Sequence, residues 1–203
     1  GMTRAHIADP HLVNKIERGE EERIRPCVGA GYCLDRIYGE GEALCIHNVA
    51  TGREKHLPHI IAPNCAEVKK CVVVGGGPAG LEAARVLGLR GHDVILFEAT
   101  QRLGGQLVLA AKATWRKEII GIVDWYEREL EHIGVTVKWN TLADTGKIMS
   151  ENPDIVIIAS GGIPDTDFVE GGDVCLSVQD VLSGSPLTGN ILVYDDSGTH
   201  PGP

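Results

Sequence analysis

The stretch that decides the fold is Val72-Val73-Val74-Gly75-Gly76-Gly77-Pro78-Ala79-Gly80-Leu81-Glu82-Ala83-Ala84. It begins as a buried strand and ends as a helix, and a G-x-G-x-x-G spacing between the two is typical of a dinucleotide-binding turn. In such a turn Gly75 permits the tight bend, Gly77 lets the backbone approach a pyrophosphate, and Gly80 allows close packing of helix on strand. The stretch therefore predicts a Rossmann-like FAD/NAD(P)-binding domain.

The helix after this turn is expected to hold the phosphates. Pro78 suits the first helical position, where its missing N–H costs nothing. The free N–H groups at this end, that of Ala79 included, favour an anion together with the positive end of the helix dipole. Glu98 ends the next strand, where an acid accepts hydrogen bonds from ribose hydroxyls and disfavours a 2′-phosphate. FAD, ADP or NAD is therefore expected, unless the glycines make only a tight turn.

The rest of the chain alternates short apolar runs with helical stretches. This alternation predicts an α/β fold with a mainly parallel sheet covered by helices, preceded by an irregular cysteine-rich loop. The predicted strands are Cys71–Val74, Asp93–Phe97, Thr136–Trp139, Ile155–Ala159 and Ile191–Tyr194, and the predicted helices are Pro78–Leu89 and the longest, Trp115–Ile133.

Composition excludes several classes of partner. The net charge of −9 comes without a basic stripe, so a nucleic acid is not an expected partner. No apolar run approaches the ~18 residues of a membrane helix, and no secretion signal is visible. A cytoplasmic location with reduced cysteines is expected. The 26 glycines point to ligand sites built from backbone.

Three of the six cysteines, Cys27, Cys33 and Cys45, lie within one irregular segment. Residues 20–65 contain many turn-forming residues and little periodicity. A loop of this length needs something to hold it in place, such as a bound metal. The grouping favours a metal site over disulfides or no role. The other cysteines have no ligand spacing and are expected in the core; they are Cys65, Cys71 and Cys175.

Two further stretches resemble flavoproteins with two dinucleotide domains. One is Ala99-Thr100-Gln101-Arg102-Leu103-Gly104-Gly105-Gln106, which follows the ribose acid, and the other is Ile157-Ile158-Ala159-Ser160-Gly161-Gly162. The second resembles an Ala-Thr-Gly element in which serine replaces threonine. The alternative for Arg102 and Gln106 is a solvated loop. The resemblance implies further cofactor-binding residues, namely Ala99, Arg102, Gly105, Gln106, Ala159 and Gly161.

The segment Arg25-Pro26-Cys27-Val28-Gly29-Ala30-Gly31-Tyr32-Cys33, followed by Cys45-Ile46-His47-Asn48 and Gly52-Arg53-Glu54, resembles the cluster loop of another flavoprotein family. Its members include trimethylamine dehydrogenase, histamine dehydrogenase, 2,4-dienoyl-CoA reductase and N-methyl amine demethylases, and four cysteines hold their [4Fe–4S] cluster. Cys27, Cys33 and Cys45 match the first, third and fourth of these, whereas Ala30 stands at the second.

That departure leaves several alternatives open, because a cubane cluster has a thiolate at each iron. In the first alternative, a noncysteine ligand such as His47 or Asp35 completes a four-iron cluster. In the second, the site holds a 3Fe–4S cluster, and in the third, it has lost its cluster. A zinc ion held by the three cysteines and His47 is also chemically permissible, as are free thiols. An iron–sulfur cluster is the favoured expectation.

The resemblance also implies a domain organisation. Residues 1–19 match the end of an FMN-binding (β/α)8 barrel, in which Arg4 matches an arginine on the FMN phosphate. Residues 20–65 are the cluster loop, 66–189 the adenine dinucleotide-binding domain, and 190–203 the start of a second nucleotide-binding-like domain. The chain is thus expected to be a fragment that holds FAD or ADP, with FMN held only by the barrel of its parent.

For function, the resemblance implies an FMN-dependent iron–sulfur oxidoreductase of the NADH:flavin oxidoreductase type. The expected activity is amine dehydrogenation or demethylation, or reduction of an enoyl thioester, with a small-molecule substrate and an electron acceptor. No catalytic residue is identified in this chain, and the fragment alone is expected to be inactive. A homo-oligomer is left open. The rival expectation is a non-redox module with ADP as a structural ligand and an inert cysteine loop.

Overall fold

The structure is a computed structural model that describes residues 2–63 and 66–195. The prediction that Cys65 is a core residue lies outside these ranges, as does most of the predicted domain start at 190–203. The same prediction is confirmed for Cys71, which is buried, and is wrong for Cys175, which is exposed. The chain divides into two compact units, Gly1–Gly162 and Ile163–Pro203. Each unit is described by itself.

A parallel sheet forms the centre of the first unit, which confirms the predicted α/β class. Strand β1 spans Lys70–Val74, β2 Asp93–Phe97, β3 Thr136–Lys138 and β4 Ile155–Ile158. The strands pair in the order β3-β2-β1-β4, all in parallel. This is the order of the first half of a Rossmann fold, with the strand of the glycine turn at its centre.

Helices cover the sheet and precede it. Parallel neighbours need crossover connections, so helices follow the strands in the chain. No helix in the described ranges is long and apolar enough to span a membrane. The helices of the first unit are α1 Thr3–Ala8, α2 Leu12–Glu17, α3 Tyr32–Tyr38, α4 Pro78–Arg90, α5 Gln106–Ala110, α6 Gly121–His132 and α7 Thr145–Ser150, with 3-10 turns at Glu21–Arg23 and Thr114–Ile120.

The prediction of one long helix over Trp115–Ile133 is wrong. A 3-10 turn comes first, and the α-helix begins only at Gly121. A Cβ at this glycine would lie 3.5 Å from Val28 Cγ1, so the cysteine loop packs closely against the junction. Glycine also lowers helix propensity, and 3-10 turns are frequent at helix N-termini. The longest helix is instead α4, with 13 residues.

The main core lies between the sheet and the helices α4 and α6. Alternate residues of β1 and β2 face this side, because side chains alternate across a strand. The opposite face of the sheet packs more thinly, against residues of the α7 region. The larger cluster contains Cys71, Val73, Leu81, Ala84, Val94, Leu96, Leu103, Ile122, Val123, Trp125, Tyr126, Leu130 and Val135.

The second unit holds little regular structure. A 3-10 turn at Gly172–Val174 precedes helix α8, Val178–Ser183, which begins with a capping box between Ser177 and Asp180. The strand predicted at Ile191–Tyr194 is wrong, since these exposed residues form no strand. A strand needs a hydrogen-bonded neighbour, and the described residues of this unit contain no other strand.

Candidate nucleotide-binding and cluster site

The glycine turn lies where the central strand β1 ends and helix α4 begins. Gly75 has a φ of 103°, and a Cβ there would lie 2.4 Å from the carbonyl oxygen of Ala159. A Cβ at Gly80 would lie 1.9 Å from the carbonyl oxygen of Gly75. Both positions therefore exclude any side chain. Gly77 has no atom within 4 Å of an added Cβ, so its outer face is open to a ligand.

Helix α4 presents its N-terminus at this open face. Gly77 is the N-cap and Pro78 occupies the first turn, where no acidic residue lies. The N–H groups of Ala79 and Gly80 lie in the first turn of the helix, where backbone N–H groups have no carbonyl partner within the helix. Unbonded N–H groups and the positive helix end attract an anion such as a pyrophosphate. Pro78 and Ala79 are exposed, so this end is accessible.

Glu98 follows β2 and turns back toward the glycines. Its Oε2 accepts a hydrogen bond from the Gly76 N–H at 2.9 Å. Its Oε1 accepts from the N–H and the hydroxyl of Thr100, at 2.7 and 2.8 Å. Three bonds leave this buried carboxylate with spare acceptor capacity, since two oxygens accept about four. A ribose hydroxyl fits that capacity, whereas a 2′-phosphate would meet a negative charge.

The loop after Glu98 closes one side of the turn. The Gly104 N–H donates to the carbonyl of Gly76 at 2.8 Å. A Cβ at Gly105 would lie 3.2 Å from the Cα of Gly77, which places this loop directly beside the open face. Arg102 points elsewhere, because its guanidinium pairs with Asp124 at 3.3 Å on the surface. Of the predicted loop residues, Ala99 is exposed at the strand end.

The segment after β4 closes the other side. The Ala159 N–H continues the sheet by donating to the carbonyl of Val74 at 2.8 Å. Gly161 and Gly162 have nothing within 4 Å of an added Cβ. Gln106 Nε2 donates to the carbonyl of Gly162 at 3.2 Å, which joins the two side segments. We call the resulting groove, lined by residues 75–80, 98–106 and 159–162, the glycine cradle.

The three cysteines of the loop line one pocket, which we call the cysteine pocket. It is partly open to solvent. Cys27 is exposed, Cys33 and Cys45 are half-buried, and all three are free thiols. Arg4, which the resemblance matches to an arginine on the FMN phosphate, also lies in this pocket. The full lining is Arg4, Ile7, Cys27, Val28, Gly29, Ala30, Gly31, Tyr32, Cys33, Leu44, Cys45, Ile46 and His47.

His47 forms the inner wall of this pocket. Its Nδ1 lies 3.0 Å from the carbonyl oxygen of Pro26 and so carries the donated proton, while Nε2 is buried without a partner among the described residues. Burial, followed by the charge of Arg25, lowers the pKa of His47 to about 3. Its backbone N–H contacts Cys45 Sγ at 3.4 Å. Of the two predicted noncysteine ligands, His47 lines the pocket, whereas Asp35 does not.

The donor set fits a cluster better than a single ion. Within residues 2–63 and 66–195, no three His, Cys, Asp or Glu side chains lie close enough to hold one metal ion. A tetrahedral zinc site with 2.3 Å bonds would bring its sulfurs to ~3.8 Å from one another. In an iron–sulfur cluster each thiolate binds a different iron, which spreads the sulfurs further apart. The three thiols line one pocket, as a cluster bound through three cysteines requires.

A buried aromatic and charged group joins the cysteine loop to the nucleotide-binding domain. Trp125 of α6 contacts the His47 ring, with centroids 5.0 Å apart, and its Nε1–H donates to the carbonyl of Arg23 at 3.0 Å. Arg23 in turn pairs with the buried Glu129 at 2.9 Å. These contacts span about a hundred positions in sequence, so no local pattern could predict them.

The sequence profile of the pyridine nucleotide-disulphide oxidoreductases matches residues 69–171, which include β1, the glycine turn and β4. The chain belongs to this family. It is 54% identical over 98% of its length to a probable N-methylproline demethylase of Rhizobium meliloti (strain 1021), of which it covers 30%. It is 49% identical over 98% of its length to a multifunctional alkene reductase/demethylase of Caballeronia cordobensis, of which it covers 29%.

A solved structure agrees with these relatives. Histamine dehydrogenase from Rhizobium sp. 4-9 superposes with a TM-score of 0.75 at 31% identity, over 82% of this chain and 24% of that one. The resemblance to the trimethylamine dehydrogenase group is therefore confirmed. This chain spans about 30% of the length of its curated relatives. Membership of the oxidoreductase family supports a flavin cofactor and a dinucleotide ligand.

Three residues of the glycine cradle were not predicted as site residues. Gly76 is tightly packed, since an added Cβ would lie 2.5 Å from Leu103 Cδ2 and 2.7 Å from Glu98 Oε2. Thr100 holds Glu98, as described above. Gly104 has a φ of 112° and packs on Val123. The sequence did carry signals for them: the run of three glycines, the threonine two positions after Glu98 and the pair of adjacent glycines. The G-x-G-x-x-G motif, however, assigns no role to the glycine between its first two.

Proposed function

We propose that this chain is the nucleotide-binding and cluster-carrying part of an FMN-dependent iron–sulfur oxidoreductase that dehydrogenates or demethylates a small amine. The observation that carries the proposal is the glycine cradle, in which three open glycine faces meet the N-terminus of α4. The amine substrate is supported by the 54% identity to the N-methylproline demethylase. An enoyl compound is the second candidate substrate class, because one relative is named for both alkene reduction and demethylation.

The ligand of the cradle is FAD or ADP. Gly77, Ala79 and Gly80 supply backbone to the pyrophosphate, and Glu98 accepts from the adenosine ribose. Gln106, Gly105 and the glycines after Ala159 border the same groove. When bound, a flavin supplies electron transfer, whereas ADP supplies only structure. The non-redox module is not favoured, because the relatives that match nearly the whole chain are named as reductases, dehydrogenases and demethylases.

Calorimetry with ADP tests this part of the proposal. Gly77→Val puts a branched side chain where the pyrophosphate lies, and we expect at least a tenfold loss of affinity, about 1.4 kcal/mol. Its Cβ has no protein atom within 4 Å, so we expect far-UV circular dichroism and the melting temperature to stay close to wild type. The smaller Gly77→Ala is the matched variant and loses less. Equal ADP affinity in wild type and Gly77→Val would refute the assignment.

The cysteine pocket holds an iron–sulfur cluster through Cys27, Cys33 and Cys45. Three thiolates suit a three-iron cluster, or a four-iron cluster with one noncysteine ligand at the side of Ala30. Such a cluster supplies one-electron transfer when bound. The His47 N–H directed at Cys45 Sγ and the apolar Ile7 and Leu44 in the lining provide hydrogen bonding and shielding, which tune cluster potentials.

Anaerobic reconstitution with counts of iron and sulfide tests the cluster. A three-iron cluster gives about three irons per chain, and Ala30→Cys, which restores the fourth thiol, raises the count to about four. Cys33→Ala is the matched loss variant, and Cys175→Ala, which alters an exposed cysteine outside the pocket, is the control. Iron uptake that is unchanged by Cys33→Ala would exclude these ligands, whatever the outcome of the ADP titration.

The domain organisation is part of the same proposal. Residues 1–19 end an FMN-binding barrel in which Arg4 meets the FMN phosphate, and 20–65 form the cluster loop. Residues 66–189 bind the dinucleotide and 190–203 begin a second nucleotide-binding-like domain. The position of Arg4 in the wall of the cysteine pocket supports a short path between FMN and cluster. The free cysteines support a cytoplasmic protein, without nucleic acid or membrane partners.

A further inference from the structure

A second cavity lies on the other side of the cysteine loop, and we call it the arginine cavity. It is bordered by the segment that follows Cys45 and by residues of helix α4, and it is partly open to solvent. It shares no lining residue with the glycine cradle. Its lining is Arg25, Asn48, Val49, Ala50, His56, Leu57, Pro58, His59, Ile61, Glu82, Arg85, Val86 and Arg90.

Arg25 is the unusual member of this lining. It is only 8% exposed, and its Nε has no hydrogen-bond partner among the described residues. The guanidinium carbon lies 4.3 Å from the centroid of the Trp125 ring, a cation–π contact that compensates for part of its lost hydration. Burial, followed by the charge of Arg85, lowers the pKa of Arg25. A buried guanidinium N–H without an acceptor costs free energy that an anion placed against it would return.

The nearby carboxylate is already bound to other groups. Glu82 accepts two hydrogen bonds from Arg85, both at 2.7 Å, and a third from the Tyr126 hydroxyl at 2.8 Å. Arg85 and Glu82 thus neutralise each other. His59 pairs with Glu54 at 3.3 Å. Among residues 2–63 and 66–195, no carboxylate therefore forms an ion pair with the Arg25 guanidinium, and Arg90 adds a second positive charge at the exposed rim.

We propose that the arginine cavity binds a small oxyanion of the phosphate class, with Arg25 donating to its oxygens from the buried side and Arg90 from the rim. The lining carries three arginines and one glutamate, and the net positive charge of these four residues matches a dianion. The guanidinium fork suits phosphate oxygens, and Trp125 holds its plane in place. The site is separate from the phosphate subsite of the glycine cradle, because Arg90 is twelve positions from Pro78, about 18 Å along the helix.

Calorimetric titration of the full chain with inorganic phosphate tests this site, with chloride at equal ionic strength as the reference. All titrations use the Gly77→Val background, which weakens phosphate binding in the glycine cradle. We expect saturable binding of one phosphate, at least tenfold weaker in Arg25→Gln and unchanged in Arg18→Gln, an exposed arginine outside the cavity. A parallel titration with glycerol 3-phosphate identifies the source, since tighter binding than phosphate indicates an organic monoester.

Arg90→Gln keeps the test decisive if Arg25→Gln fails to fold. This arginine is exposed at the end of α4, so its loss spares the core, and we expect phosphate affinity to fall at least threefold. Equal heats with phosphate and chloride would overturn the proposal, as would wild-type phosphate affinity in Arg90→Gln. Neither result bears on ADP binding in the glycine cradle, which is measured separately with Gly77 intact.

Discussion

The glycine cradle and the cysteine pocket differ in what holds their shape. The cradle is fixed by backbone: Gly75, Gly80 and the chain at Ala159 approach so closely that no side chain fits between them. The cysteine pocket is lined by thiols from a loop, and its donors are not gathered as they would be around one metal ion. A site built from backbone can form before its ligand arrives, whereas a cluster loop gains much of its order from the ligand.

Two alanine substitutions in the same turn give the largest expected contrast. Gly80→Ala puts a Cβ 1.9 Å from the Gly75 carbonyl oxygen, so we expect a loss of about 3 kcal/mol in the free energy of unfolding. Gly77→Ala meets open space and should cost below about 1 kcal/mol, as for alanine at an N-cap. Urea unfolding measures both. Equal losses would mean that the cradle is not held by close backbone packing.

Asp9 tests how the cysteine loop is anchored. Its carboxylate accepts from Lys15 at 2.6 Å and from the Arg25 N–H at 2.9 Å. Burial alone would raise the pKa of Asp9, but these bonds outweigh it and lower the pKa. We expect Asp9→Asn to cost about 2 kcal/mol at pH 7, because it leaves buried donors poorly paired.

The pH dependence of the same variant follows from the lowered pKa. A carboxylate with a depressed folded pKa stabilises above its unfolded value of about 3.9, and this contribution is lost as pH falls through the folded value. The free energy of unfolding of the wild type therefore falls more steeply below about pH 4 than that of Asp9→Asn. Asp173→Asn, at an exposed carboxylate, is the control. Parallel pH profiles for wild type and Asp9→Asn would contradict the anchoring role.

Glu98 tests how the glycine cradle selects the ribose of its ligand. We expect the wild type to prefer ADP to 2′-phospho-ADP by about 1–3 kcal/mol, because the phosphate would meet a buried carboxylate. Glu98→Ala should lose this preference, and the exposed Glu131→Ala should keep it. Competition calorimetry measures both nucleotides. A preference that survives in Glu98→Ala would assign ribose selection to another residue.

Arg102 gives the smallest expected effect on stability. Its ion pair with Asp124 leaves the two side chains 50% and 43% exposed, so Arg102→Gln should change the free energy of unfolding by below about 0.5 kcal/mol. If Arg102 also contacts the nucleotide, ADP affinity falls while stability does not. A stability loss above about 1 kcal/mol would show that the pair holds the 98–106 loop in place.

The sequence by itself determined the sheet and the glycine cradle. Strand, turn and helix follow one another within residues 70–90, and local chemistry fixes each step: apolar residues for the strand, glycines for the bend and Pro78 for the first turn. Glu98 could be placed because it ends the strand beside the glycine turn. The 102–106 loop was predicted only by its resemblance to flavoproteins.

Only the tertiary structure decided the rest. Val28 lies against Gly121, where the helix begins, and the Arg25 guanidinium lies over the ring of Trp125, about a hundred positions away. The periodicity of α6 was visible in the sequence, but it carries no information on which distant loop packs against that helix. Such contacts satisfy buried groups from separate parts of the chain, and burial is a property of the folded molecule, which no local pattern encodes.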